Sequence, residues 1–181
     1  VCLLAGEDTF LDALPAAQRA EAWKMLAENS HDADLFIAPT RYFAERMSER
    51  LRLPPGRIRV VPLGINLEGY EAEAPRGPRP HAQSLSVGFF ARMCREKGLE
   101  TLVEAFILLK KRGRVPHLRL KIGGSCGPSD QAFVTELRRR LGAMGCLGEV
   151  DFYANLDRTA KIAFLKSLTV FSVPALYGEA F

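Results

Sequence analysis

The stretch GFFARMCREKG, Gly88–Gly98, decides how the rest of the chain is read. An apolar run, Leu85–Ala91, stops abruptly at Arg92, and Arg95 and Lys97 follow with Glu96 between them. Gly98 then opens a segment in which Leu99, Leu102, Val103, Phe106 and Leu109 recur at helical spacing. A short unbroken apolar run suits a strand buried on both faces, as in a parallel sheet. The stretch is therefore predicted to be the carboxyl end of a buried strand, a basic turn and the start of a helix. In open parallel sheets, ligands bind outside the carboxyl ends of the strands.

The same alternation runs outward in both directions. Further apolar runs lie at Val1–Ala5, Leu35–Pro39, Ile58–Leu63, Leu118–Gly123, Val150–Ala154 and Thr169–Pro174. Between them, Phe43, Met47 and Leu51 make one helical stripe, which ends at the LPPGR break, Leu53–Arg57. Phe133, Val134, Leu137, Leu141 and Met144 make another. Ser129-Asp130 and Asp157 read as helix N-caps. Strand–helix–strand repetition implies the α/β class, with parallel sheets and right-handed crossovers. The repetition breaks once, at Leu67–Ser84, where Pro75, Pro78 and Pro80 exclude both helix and central strand. Residues 67–84 are read as a linker between an α/β piece over 1–66 and a second α/β unit over 85–181.

Composition narrows the function classes. With 48% hydrophobic and 25% charged residues the chain is a globular protein rather than a disordered one. The net charge of +4 is mild, and the Lys110–Arg114 cluster sits where a helix should end, which suits a solvated C-terminal turn better than a nucleic-acid patch. Cys2, Cys94, Cys126 and Cys146 are scattered, so neither a disulfide framework nor a zinc site is indicated. A reducing, cytoplasmic setting is expected. No apolar stretch reaches the ~18 residues of a membrane span, and no signal peptide is expected. The sequence starts at Val1 inside an apolar run and ends at Phe181 just after another, as a piece cut from a longer protein would.

The basic turn has two readings from spacing alone. Arg92 and Lys97 either solvate a loop or, with the unpaired N–H groups of the following helix, hold a diphosphate. A second stretch favours the latter. LTVFSVPALYGEAF, Leu168–Phe181, is a strand ending at Pro174, a turn at Gly178 and then Glu179. A carboxylate at a strand's carboxyl end accepts hydrogen bonds from sugar hydroxyls; its alternative is an exposed acid at a helix start. Asp32 and Asp34 form an Asp-x-Asp, but they precede a strand instead of following one, so the match is taken as chance. Trp23, the sole tryptophan, is read as a core or interdomain residue before a sugar-stacking one.

These stretches resemble the family 4 retaining glycosyltransferases, the "glycosyl transferases group 1" set with the GT-B fold of two Rossmann-like parallel-sheet domains. DLFIAPTRYFAERMSERLRLPPGRIRVVPLGIN, Asp34–Asn66, resembles the close of the family's N-terminal domain. GFFARMCREKGLETLVEAF, LRLKIGG, EVDFYANL and VFSVPALYGEAF then follow in the family's order. The resemblance implies a truncated pair of domains: the end of an acceptor-side domain over 1–66 and a donor nucleotide-sugar domain over 85–181. By resemblance Arg92 and Lys97 hold the donor diphosphate, and Glu179 is the catalytic first member of the family's glutamate pair, meeting the transferred sugar with backbone near Phe181. Gly123 and Gly124 lie close to the nucleotide, and Tyr153–Leu156 lie where the base packs. The partner glutamate of the pair falls beyond Phe181.

Where the family has Gly before the Arg, this chain has Ala91, and Ala154 and Ala175 replace a Gly and a Ser. Leu63-Gly64 stands for an Asn-Gly at the domain junction. The family's acceptor-side histidine has no match after the first strand; Glu7 and Asp8 are there instead, as acceptor contacts or simply as helix-start acids. The resemblance further implies a metal-independent, retaining, hexosyl-type transferase without cofactor. Its donor is a nucleotide-diphosphate sugar and its acceptor a hydroxyl on a glycan, lipid or small molecule. No nucleic-acid partner is implied, and peripheral membrane contact is left open. The piece alone is expected to be inactive. The alternative is a non-catalytic nucleotide-binding or scaffold module that keeps the fold.

Overall fold

The computed structural model describes residues 1–71 and 85–180. Pro75, Pro78, Pro80 and Phe181 lie outside them. In chain order the elements are β1 Cys2–Leu3, α1 Glu7–Asp12, α2 Ala16–Asn29, β2 Phe36–Ala38, α3 Arg41–Leu51, β3 Ile58–Val60, β4 Ser86–Phe90, α4 Leu99–Arg112, β5 Arg119–Gly124, α5 Pro128–Ala143, β6 Val150–Ala154, α6 Arg158–Lys166 and β7 Val170–Phe171. They form two separate sheets, β1-β2-β3 and β6-β5-β4-β7, and every ladder is parallel. Two compact units result: Val1–Asn66 with the described residues from Tyr177 on, and Leu67–Leu176.

In the first unit α3 presents the predicted stripe. Phe43, Met47 and Leu51 are buried against Phe36 and Ala38 of β2 and against Leu4, just after β1. Thr40 caps the helix by accepting the Phe43 N–H at 3.1 Å, and its hydroxyl donates to the Ala180 carbonyl at 2.8 Å. That bond draws the last residues into this unit, whereas the sequence reading assigns all of 85–181 to the second. Asp32 and Asp34 flank the entry to β2, at its amino end.

A polar cluster ties α1 to α2 and α3. Asp12 accepts Arg50 through Nη1 at 2.6 Å and Nη2 at 2.7 Å, and Trp23 Nε1 at 3.1 Å. The Arg50 guanidinium also lies 4.7 Å from the Trp23 ring centroid. Trp23 thus works in the first unit's own packing. The hydrogen bonds from Arg50 hold the Asp12 carboxyl below its usual range, against the opposing effect of burial. A depressed folded pKa gives stability that is present above the unfolded value, ~3.9, and is lost as pH falls through the folded one. Because the pair is one-third exposed, Asp12→Asn should cost only about 1 kcal/mol at neutral pH. The Tm gap to wild type should then close as pH is lowered below about 4; a gap constant down to pH ~3 would contradict the assignment.

In the second unit side chains alternate across the sheet. Phe89, Leu120, Ile122 and Val150 point to the face covered by α4 and α5, where Leu102, Val103, Phe106, Val134, Leu137 and Leu141 complete the main core. Phe90 and Tyr153 point to the other face and meet Phe164 of α6, with ring centroids 5.6 and 5.4 Å apart. Helices therefore cover both faces, as a doubly wound sheet requires. Not every strand is buried on both sides as its apolar run predicts: Leu3, Val60, Val170 and Phe171 are exposed. Leu67–Glu71, predicted as the start of the linker, packs on α6, where Arg158 donates to the Glu68 carbonyl at 2.8 Å. The basic cluster at the end of α4 closes the helix as expected, with Gly113 in a left-handed C-cap.

Candidate functional site

The order of the second sheet marks where a site belongs. The chain steps outward from β4 to β5 to β6, then returns to lay β7 on the other side of β4. The carboxyl end of β4 is thus the point at which strand order reverses, the usual ligand position in such sheets. The turn Ala91–Gly98 leaves the sheet there. The segment after β7 meets it: Leu176 donates to the Glu96 carbonyl at 2.9 Å. A Cβ on Gly98 would stand 1.7 Å from the Pro174 carbonyl oxygen. Gly98 is the N-cap of α4, with φ 73°.

Two more loops complete the strand ends. Met93 N–H donates to the Ser125 carbonyl at 2.8 Å, which joins the turn after β4 to the loop after β5. Asn155, left-handed with φ 56°, follows β6. Its amide accepts the Cys126 N–H at 3.0 Å and donates to the Cys126 carbonyl at 3.2 Å. Its own N–H donates to Gly124 at 2.9 Å. The stretch Tyr153–Leu156, where the resemblance expects the base, is therefore bonded through Asn155 to the loop beside Gly123 and Gly124.

Arg92 lines a cleft of about 270 Å³ with Cys94, Arg95, Glu96, Ser129, Asp130 and Phe133. Its guanidinium forms a two-pronged pair with Asp130, Nε to Oδ2 at 3.0 Å and Nη2 to Oδ1 at 2.9 Å. Asp130 is the third helical residue of α5, not its cap; the cap is Gly127, whose N–H donates to Asp130 Oδ2 at 3.2 Å. The pair holds the Asp130 carboxyl below the usual range and raises Arg92 further. Arg95 pairs with Glu100 and lies 4.8 Å from the Phe133 ring centroid. Burial pushes the Cys94 thiol up; the Lys97 N–H opposes this and the Glu96 carboxylate adds to it. Glu96 itself is held low, chiefly by its own backbone N–H and then by that thiol. The cleft thus sets two guanidinium groups against two ionised carboxylates.

The other expected residues are distributed differently. Lys97 is half-buried in the same turn but is not among the residues lining this cleft. Gly123 and Gly124 end β5, and backbone or aromatic atoms crowd both. Glu179 lies in the first unit, in a segment without helix, so the helix start offered as its alternative reading is not seen. Glu7 accepts the Ala5 and Gly6 N–H groups at 3.0 Å, closing its own turn. Asp8 is buried and ion-paired with Arg46. Both acids sit in the first turn of α1, as the helix-start reading has them. Sequence reasoning missed the roles of Asp130 and Asn155. Pro128 at the first helical position with an acid two residues on was the available signal for Asp130.

Two parallel-sheet units of Rossmann type, with strand ends built this way, define the GT-B architecture. The family model described as "Glycosyl transferases group 1" matches residues 74–181, more than half the chain, and the chain belongs to that family. The model "Glycosyltransferase Family 4" matches residues 8–68. Among solved structures, a sucrose-phosphate synthase from Thermosynechococcus elongatus is 24% identical with a TM-score of 0.72, over 98% of this chain and 44% of that one. HepE from Anabaena, in complex with UDP and glucose, is 16% identical with a TM-score of 0.69, over 94% of this chain and 45% of that one. A glycosyltransferase from Rickettsia africae is 16% identical with a TM-score of 0.68, over 93% and 44%. At these identities the likeness shows the fold, and the chain spans less than half the length of each. No curated protein matches the chain significantly. Among the described residues no helix is long and apolar enough to cross a membrane.

Proposed function

We propose that this chain is the donor-binding part, with a portion of the acceptor side, of a retaining glycosyltransferase that moves a hexose from a nucleoside-diphosphate sugar to an acceptor hydroxyl in the cytoplasm. The observation that carries the reading is the position of Arg92 at the carboxyl end of β4, where strand order reverses, beside the N-termini of α4 and α5. Membership of the glycosyl transferases group 1 family supports the reaction class.

In this proposal Arg92, Lys97 and the first N–H groups of α4 meet the leaving diphosphate. Negative charge builds there as the glycosyl–phosphate bond breaks, so these donors act more strongly on the transition state than on the ground state. The charge is met by the chain's own residues, and neither a metal nor a cofactor is part of the scheme. Glu179 meets the transferred sugar. A uridine nucleotide is the first donor to test, since solved structures of HepE hold UDP and UDP-glucose.

The test is a screen of the intact protein against a panel of nucleotide sugars, with release of nucleoside diphosphate as the signal. Transfer or slow hydrolysis of one donor is expected, with the anomeric configuration retained and the rate unchanged by chelator. Glu179→Gln should lower turnover by roughly a hundred-fold and leave the affinity for the nucleoside diphosphate within about two-fold. Absence of release from every donor, together with absence of nucleoside-diphosphate binding, would refute the function. A Glu179→Gln protein with full turnover would remove that residue from the chemistry.

A further inference from the structure

The two-pronged pair between Arg92 and Asp130 does something that charge alone does not. The Asp130 side chain is only 8% exposed, whereas that of Arg92 is 57% exposed. The carboxylate is fixed from two directions, by its place in the first turn of α5 and by the Gly127 N–H. It grips the Nε–Nη2 edge of the guanidinium and leaves Nη1 out of the pairing. Ser129 Oγ stands a further 3.5 Å from Nη2. A planar fork held along one edge has its plane and direction set, while an unpaired arginine at a loop start must be ordered by each ligand it binds.

We propose that Asp130 is the positioning residue for Arg92: it holds the guanidinium so that the donors outside the pair meet the phosphates of a nucleoside diphosphate. This rests on the reading of Arg92 as a diphosphate ligand. Two effects of Asp130 oppose each other here. Its negative charge repels a diphosphate, so a carboxylate that acted only through its field would weaken binding, and its removal would tighten it. A carboxylate that acts by orienting Arg92 gives the opposite sign. Geometry favours orientation, because Asp130 spends both oxygens on one edge of a guanidinium whose side chain is mostly exposed.

The experiment is a double-mutant cycle in the intact protein, titrated with inorganic pyrophosphate, UDP and uridine at fixed salt. Asp130→Ala should raise the Kd for pyrophosphate and for UDP about three- to ten-fold and leave uridine unchanged. In the Arg92→Ala background the same substitution should bring no further loss, and release of the unpaired carboxylate should return part of the affinity. Asp130→Asn keeps the size and one acceptor oxygen, so it gives the same reading at smaller amplitude where the alanine variant does not fold. Tighter or unchanged diphosphate binding in both Asp130 variants, or losses that multiply in the double mutant, would overturn the proposal while Arg92→Ala still showed its own loss. If Arg92→Ala leaves pyrophosphate and UDP binding intact, the diphosphate reading of Arg92 fails first, and the positioning role with it.

Discussion

Gly124→Ala should lower the melting temperature of the second unit by roughly 10 °C or more, and Gly123→Ala by much less. Both glycines end β5, and the sequence reading gives both the same role, close approach to a nucleotide. Their surroundings differ. A Cβ on Gly124 would stand 1.8 Å from the Ala91 carbonyl oxygen and 2.6 Å from its carbon, and φ there is +130°. The obstacle is backbone, and it is pinned: Ala91 N–H donates to Gly123 at 3.3 Å, and Asn155 N–H to Gly124 at 2.9 Å. Strain in φ for an L residue costs about 1–2 kcal/mol, and forced movement in a packed region about 1–3 kcal/mol more. At 4–8 °C per kcal/mol for a domain of about this size, the lower end of the sum is already close to 10 °C. A Cβ on Gly123 meets the Phe90 ring at 2.8 Å and the Phe164 ring at 3.0 Å, and these side chains can give way. Thermal unfolding followed by circular dichroism ranks the two variants. Equal losses would show that the approach of β5 to Ala91 is not what demands a glycine. Because Arg92 follows Ala91, a Gly124 variant that remains folded should also bind diphosphate more weakly.

That contrast shows where sequence reading stops. A glycine pair after a strand says that something comes close, but not whether it is a ligand or the chain itself. The elements themselves were legible wherever one physical signal dominated. Phe43, Met47 and Leu51 share a helical stripe and are all buried, and Asp157 caps α6 by accepting the Ala160 N–H at 2.7 Å. The seam at Ala91–Gly98 was legible because an apolar run, three cations and a glycine change character within a few residues. The helix α2 was not, since none of its residues is buried and its apolar positions are mostly alanine. The run Thr169–Pro174 promised a longer strand than Val170–Phe171 because apolarity does not count ladder partners: among the described residues only Val87 and Gly88 pair with it.

The place of Arg92 in the fold was legible, and its wiring was not. A cation at the carboxyl end of β4 follows from the pattern alone. That its partner would be Asp130, in the first turn of a different helix, depends on how closely the β4 and β5 loops approach each other. The local pattern of Ser129-Asp130 reads as a cap, and the residue that caps is Gly127, which has no side chain to advertise it. Glu179 shows the converse. Its neighbours Gly178 and Ala180 pack against residues near 40: a Cβ on Gly178 would stand 2.0 Å from the Tyr42 hydroxyl, and Ala180 accepts from Thr40. No local period encodes a contact across so much chain.

Arg92→Ala in the intact protein should weaken binding of a nucleoside diphosphate about ten- to a hundred-fold, and Lys97→Ala should do so at the lower end of that range or less. A lost charge-assisted hydrogen bond alone accounts for such a factor. For Arg92 the structure adds a second loss. Asp130 would be left ionised and uncompensated in the same cleft, where Glu96 already supplies one carboxylate. The substitution therefore replaces an attractive group with a repulsive one, and the effect should exceed that at Lys97, which is not among the residues lining the cleft. Arg92→Lys should recover only part of the affinity, since a point charge cannot both span the two Asp130 oxygens and reach a phosphate. The free nucleoside lacks the phosphates and should bind all three variants as it binds wild type. Raising salt should narrow the differences, because the lost interactions are between partly exposed charges. Calorimetric titration of UDP and uridine at two salt concentrations reads all of this. Equal losses for both ligands would mean that the turn has been deformed rather than discharged. A larger loss at Lys97 than at Arg92 would place the diphosphate nearer the start of α4 than to α5, outside the cleft that Asp130 shares.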